Sequence, residues 1–251
     1  LTVFVLLTLG LGYSATHTQL DPGFNKQIPV RHEYMLNFIG FSQYFTGANR
    51  FLVSVKWKGE GDIYNPRFLD TLRKVTDDVF FINGVSRASV TQWFTDNVRY
   101  IELTEEGFFG DVVVPPRFTA TPEDLAQVRS NAARSGQVGR LVANDLKSAM
   151  VRADLQDVDP QTGKAVSYVE VSRRLEEIRA KYGSDQIEIN IVGFAKLVGD
   201  VVEGLMTVIG FFVVAFLITG LLLWLYSRSL RLTVVALLVA LLPVVWLLGL
   251  L

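Results

Sequence analysis

The sequence contains no cysteine and only two histidines among its 251 residues. Disulfides, thiolate metal sites and cysteine nucleophiles are thereby excluded, and a domain outside the cytoplasm would have to stand on its core alone. His17 and His32 have no acidic cluster at ligand spacing beside them, so no metal centre is expected. Charge of one sign is nowhere concentrated: the net charge is −1, with no basic or acidic block. Nucleic acid is therefore not expected as a partner, since phosphate binding needs a clustered cationic face. A Gly-x-Ser-x-Gly elbow is missing as well. Gly59-Glu60-Gly61 reads as a turn and not as a phosphate loop, and Glu105-Glu106 as a solvated loop and not as an acid/base pair. With no catalytic, cofactor-binding or metal constellation, the reading is of a protein that is not an enzyme and holds no cofactor.

Three stretches lack charge altogether. Gly204–Tyr226 and Leu232–Leu251 are each long enough, at about 1.5 Å per residue, to cross a hydrocarbon core of about 30 Å. Only Ser227-Arg228-Ser229-Leu230-Arg231 separates them, which predicts an antiparallel pair of transmembrane helices at 204–227 and 232–251. Strands are excluded as spans, because a lone strand leaves its backbone unsatisfied in lipid. Arg228 and Arg231 place the short turn in the cytoplasm, with Trp224 and Tyr226 at the interface beside it. The chain before Gly204 then lies on the outer side. Leu1–Tyr13 is also apolar but spans only roughly 20 Å as a helix. It reads as the outer end of a transmembrane helix (residues 1–15) whose start is missing, in preference to a signal-peptide core. Gly210 and Gly220 are small residues that would let membrane helices approach closely, or are glycines of the ordinary kind in such helices.

Residues 16–200 carry nearly all the charge and read as an ordinary α+β domain. Phe51–Trp57 alternates as a strand. Asn65 and Pro66 open a helix whose apolar face is Phe68, Leu69, Leu72, Val75 and Val79. Gly84 turns the chain into a strand at Val85–Val90. A second unit runs from a strand at Ala149–Leu155, through a turn-rich loop at Asp157–Gly163, to a helix opened by a Ser167/Glu170 capping box and stopped by Gly183. It closes with a strand at Gln186–Val192. Strand-helix-strand twice over suits a ferredoxin-like sandwich. Between the units lies an insertion with a helix capped by Thr121 and ended by Gly136, preceded by a loop at Thr104–Pro116 with a short strand at Asp111–Val114.

This layout resembles the N-terminal part of a resistance-nodulation-division (RND) exporter, of the lipid-exporter-like branch called MMPL-like. The stretches that carry the resemblance are Asp21-Pro22-Gly23-Phe24 with Ile28-Pro29, Gly136–Val142, Val192-Gly193-Phe194-Ala195 with Asp200, and Arg228-Ser229-Leu230-Arg231. The resemblance implies a multi-pass protein of a bacterial inner membrane with a periplasmic porter-like domain between transmembrane helices. It implies proton-driven export of hydrophobic or amphiphilic, lipid-like substrates, with membrane lipids, a homo-oligomer or accessory periplasmic and outer-membrane proteins as partners. The family's proton-relay acids lie in a later span, and none is transferred to this chain. A non-transporting membrane module that assists assembly, translocation or sensing is the alternative. Trp93, Phe94, Phe108 and Phe109, in the insertion, read either as an apolar path for substrate or as ordinary core, as do Phe38, Phe41, Tyr44 and Phe45 at helical spacing.

Overall fold

A computed structural model describes residues 2–17, 32–41, 49–105, 107–156, 158–159 and 163–250. The segments around Asp21–Pro29 and Tyr44–Gly47, together with Glu106 and part of the 157–163 loop, lie outside the described residues, as does the side chain of Phe38. Seven helices, α1 (Thr2–His17), α2 (Glu33–Phe41), α3 (Pro66–Phe80), α4 (Pro122–Arg134), α5 (Tyr168–Tyr182), α6 (Phe194–Ser227) and α7 (Leu230–Leu250), accompany five strands among these residues. The strands are β1 (Arg50–Trp57), β2 (Arg99–Thr104), β3 (Gly107–Val112), β4 (Ser148–Asp154) and β5 (Ile187–Gly193). They fall into two compact units, residues 2–17 with 203–250 and residues 32–202.

In the first unit, α6 and α7 are each long and apolar enough to cross a membrane. A core helix of a soluble protein with such a composition would be buried, whereas Phe211, Leu217, Leu222, Leu238 and Leu247 are exposed. So much exposed apolar surface on two long helices points to membrane association. Helix α1 packs along α7. The Phe4 and Trp246 rings lie 5.0 Å apart, and Trp246 Nε1 donates to Thr8 Oγ1 at 3.1 Å. Gly249 sits against the backbone of Leu11, where any Cβ would collide with the carbonyl. Of the two glycines singled out in the sequence, Gly220 faces Leu237 across the α6–α7 turn, while Gly210 faces open space.

The second unit is built on β1. Its Phe51, Val53, Val55 and Trp57 are buried on one face. Antiparallel pairing on both sides gives the order β4-β1-β5, with Val53 opposite Val151 and Ile191. Helix α3 packs on β4 and on α5, and α5 packs on β5, so one core joins the sheet and both helices. The expected apolar face of α3 is buried throughout, and the Asn65 side chain accepts from Phe68 N at 2.8 Å to start the helix. In α5, Ser167 caps as expected, but the Glu170 carboxylate pairs with Arg173 and Arg174, so the reciprocal half of the capping box is not made. Gly183 ends α5 in an extended conformation; a Cβ there would press on the Arg179 carbonyl at 2.8 Å.

Two expectations fail for local reasons. Val85–Val90 is not a strand: Arg87–Ser89 forms a 3-10 turn, and in place of a ladder there are two isolated bridges, Val85 with Leu155 just past β4 and Thr91 with Arg152 in it. Ser89 closes that turn, donating its backbone N–H and its hydroxyl to Ser86 O, while its Oγ accepts from Asp154 N at 2.9 Å. A serine side chain has thus taken the Asp154 N–H that a strand's carbonyl would have accepted, while Ser86 N still donates to Asp154 O at 2.9 Å. Thr104–Pro116 is not a loop with one short strand: β2 and β3 form a hairpin in which Leu103 pairs with Phe108. Gly107, at φ 122°, supplies the turn conformation that other residues disfavour.

Helix α4 begins and ends as its residues dictate, with a Thr121–Asp124 capping box and Gly136 beyond its end. Asp124 accepts from Thr119 N and Oγ1, both at 2.8 Å, and from Thr121 N. These bonds, the Thr119 backbone N–H foremost, hold its carboxyl below the usual range. A lowered folded-state pKa gives stability that is present above the unfolded value and is lost as pH falls through the folded one. Amide exchange in the first turn of α4 should therefore accelerate, relative to intrinsic rates, below about pH 4. In Asp124→Asn that acid-dependent step should disappear, and its persistence would mean that another group controls the cap.

Candidate functional site

The four aromatic residues singled out in the insertion do not come together as one path. Trp93 is 1% exposed, within the main core, with its ring stacked 5.6 Å from Tyr64. Its Nε1 is buried without a hydrogen-bond partner. Phe94 is half-buried, packs on the same core and meets Phe118 edge-on at 6.5 Å. Phe108 and Phe109 lie on the β2–β3 hairpin, on opposite faces, since neighbours along a strand alternate. Phe108 is 85% exposed and shares its face with Ile101 and Leu103, which are also exposed. Phe109 is on the face of Tyr100, 6.4 Å away. Arg134 of α4 stacks over Tyr100 at 5.0 Å and pairs with Glu102 at 2.5 Å, which ties that face of the hairpin to α4. Phe41, at the end of α2, is exposed.

Phe94 lines the feature with the character of a small-molecule site. A cleft of about 440 Å³ opens between the C-terminal half of α3, with Asp77 and Phe80, and residues 87–97, with Val90, Phe94 and Asp96. That volume is in the range of about 300–1,000 Å³ typical of ligand pockets. The cleft lies where the expected strand at Val85–Val90 gives way to the 3-10 turn. Its mouth carries Arg87, whose guanidinium stands 5.6 Å from the Phe80 ring centre and 5.9 Å from that of Phe81. Periodicity alone could not indicate this site, because it brings α3 against residues 87–97, whose spacing predicts a strand in part and not a cleft.

A second feature, also invisible in sequence, is an ion network in which Lys196, in the first turns of α6, is only 8% exposed. Its ammonium pairs with Glu176 of α5 at 2.7 Å and with Asp200, and Arg179 pairs with the same Glu176 at 2.9 Å. The Lys196–Asp200 spacing of four and the Glu176–Arg179 spacing of three are readable along the chain, but the Lys196–Glu176 pair that joins them is not. The network joins structural elements, and no cleft opens onto it among the cavities described.

His17 and His32 lie apart from any acidic cluster. His17 Nδ1 is within 3.0 Å of Tyr13 O, and His32 Nδ1 accepts from Tyr34 N at 3.2 Å. Among the described residues no group of three potential metal ligands occurs. No family model matches the sequence, and no curated protein matches it.

Proposed function

We propose that this chain is part of a proton-driven RND-type exporter of the MMPL-like branch, in which a ferredoxin-like periplasmic domain receives hydrophobic or amphiphilic molecules. The observation that carries the reading is the strand order β4-β1-β5 under α3 and α5, with two bridges standing where the edge strand of a ferredoxin-like sandwich would lie. That domain is followed directly by α6, a helix of 34 residues whose C-terminal part is apolar and exposed. The Arg228 turn between α6 and α7 supports a cytoplasmic turn and an outer domain. The aromatic wall of the cleft, Phe80 and Phe94, and the exposed Ile101, Leu103 and Phe108 are suited to hydrophobic or amphiphilic cargo.

The absence of native cysteine makes the topology directly testable. A membrane-impermeant maleimide applied to intact spheroplasts should label Glu60→Cys, while Ser229→Cys should react only after permeabilisation. The opposite pattern would invert the domain and end the periplasmic assignment. For transport, cells expressing the gene should accumulate less of a fluorescent amphiphile than cells lacking it, and a protonophore should abolish the difference. Equal accumulation with and without the gene would leave the chain in the class of non-transporting membrane modules.

A further inference from the structure

We propose that the cleft between α3 and residues 87–97 binds hydrophobic cations. Its inner wall is apolar: Val90 is buried, Phe80 and Phe94 are half-buried, and Phe94 is backed by Phe118. That wall can hold hydrocarbon, and the charges around it select the sign of the guest.

Of the three aspartates of α3, Asp70 is paired with Lys74, and Asp78 with Lys181 and Tyr182. Asp77, which lines the cleft, has no ion-pair or hydrogen-bond partner for its carboxylate among the described residues. The carboxylate of Asp96, across the same cleft, is likewise without one. Two unneutralised carboxylates therefore border one cavity with an apolar wall, whose other lining residues include Thr76, Thr95 and Asn97. The lone cation of the lining is Arg87, so the lining carries two negative charges against one positive. An anionic or zwitterionic head would meet the carboxylates unfavourably, whereas a cation would be drawn in.

Arg87 also demonstrates that the aromatic wall takes a cation. Its guanidinium lies over the Phe80 and Phe81 rings within the range of cation–π attraction. A lipophilic ammonium or phosphonium entering the cleft meets the same ring faces and the two carboxylates together. Asp77 and Asp96 are exposed, so each carboxylate contributes modestly, and the apolar wall supplies most of the affinity.

The test uses the full chain in lipid nanodiscs with tetraphenylphosphonium and its anion of the same shape, tetraphenylborate, with empty nanodiscs as the baseline for partitioning. Tetraphenylphosphonium should bind saturably above that baseline, and tetraphenylborate should not. Asp77→Asn with Asp96→Asn should weaken phosphonium binding about fivefold, the size expected for two exposed charge pairs. Arg87→Gln removes the competing cation and should strengthen it about twofold, a change that a misfolded variant cannot produce. Saturable binding of both probes alike, affinity unchanged in the double asparagine variant, or no protein-dependent binding would each overturn the assignment. The biological purpose of the cleft rests on the exporter reading, but its binding does not. Efflux without cleft binding would remove the cleft alone, and cleft binding without efflux would remove the exporter alone.

Discussion

Trp93→Ala is expected to lower the unfolding free energy by about 3–5 kcal/mol, the usual cost of emptying a large aromatic from a packed core. The ring is 1% exposed and stacks on Tyr64, and that ring in turn lies under Arg129, which pairs with Asp62. A cavity at this point loosens the contact between α4 and the segment leading into α3. Trp93→Phe should behave differently. It keeps most of the volume and removes an indole N–H that is buried without a partner, so its cost should stay below about 1.5 kcal/mol. Thermal melts in one detergent, with all variants side by side, measure both. If Trp93→Ala melted like the parent while cargo binding fell, Trp93 would belong to a binding surface and its core assignment would be wrong.

Gly199→Ala should be nearly as damaging, although alanine is the better helix former by about 1 kcal/mol. A Cβ on Gly199 would occupy the space of the Ser172 Cβ and hydroxyl, and Ser172 is buried in the second turn of α5. No rotamer of Ser172 relieves the overlap, because its Cβ is itself part of the clash. The first turns of α6 must then move off α5, taking Ala195 and Val198 out of their buried positions and stretching the Lys196–Glu176 pair. Overpacking of this kind costs about 3 kcal/mol. The reciprocal change provides the check. With Ser172→Gly the next atom, the residue 172 Cα, is 3.7 Å from the new Cβ, an ordinary contact. The propensity loss at 172 and the gain at 199 then roughly cancel, and Ser172→Gly with Gly199→Ala should recover most of the parent's stability. A double variant no better than Gly199→Ala would show that the α5–α6 contact is not what the glycine serves.

These two positions mark where the sequence could be read and where it could not. The apolar spacing of α3 at Phe68, Leu69, Leu72, Val75 and Val79, the caps at Asn65, Thr121 and Ser167, and the alternation of Ile187, Ile189 and Ile191 are local patterns. Each was legible because backbone hydrogen bonding and burial there repeat with a fixed period. The length and lack of charge of the stretches 204–226 in α6 and 232–250 in α7 were legible for the same reason: a long apolar helix is a property of one segment and its solvent.

The rest required distant parts of the chain to meet. Whether Val85–Val90 became a strand turned on Ser89, whose hydroxyl takes the Asp154 N–H that a neighbouring strand would otherwise have used. The cleft beside α3 is bordered by the turn that results, at Arg87, Ala88 and Val90. Trp93 and Phe108 are equally aromatic in sequence, yet one is sealed against Tyr64 and the other stands in the open, because β2–β3 turns its Phe108 face away from α4. Gly199 looks like any helical glycine until Ser172 is brought against it. Periodicity records which face of an element seeks burial, whereas the identity of the neighbour that buries it depends on contacts that no local pattern encodes.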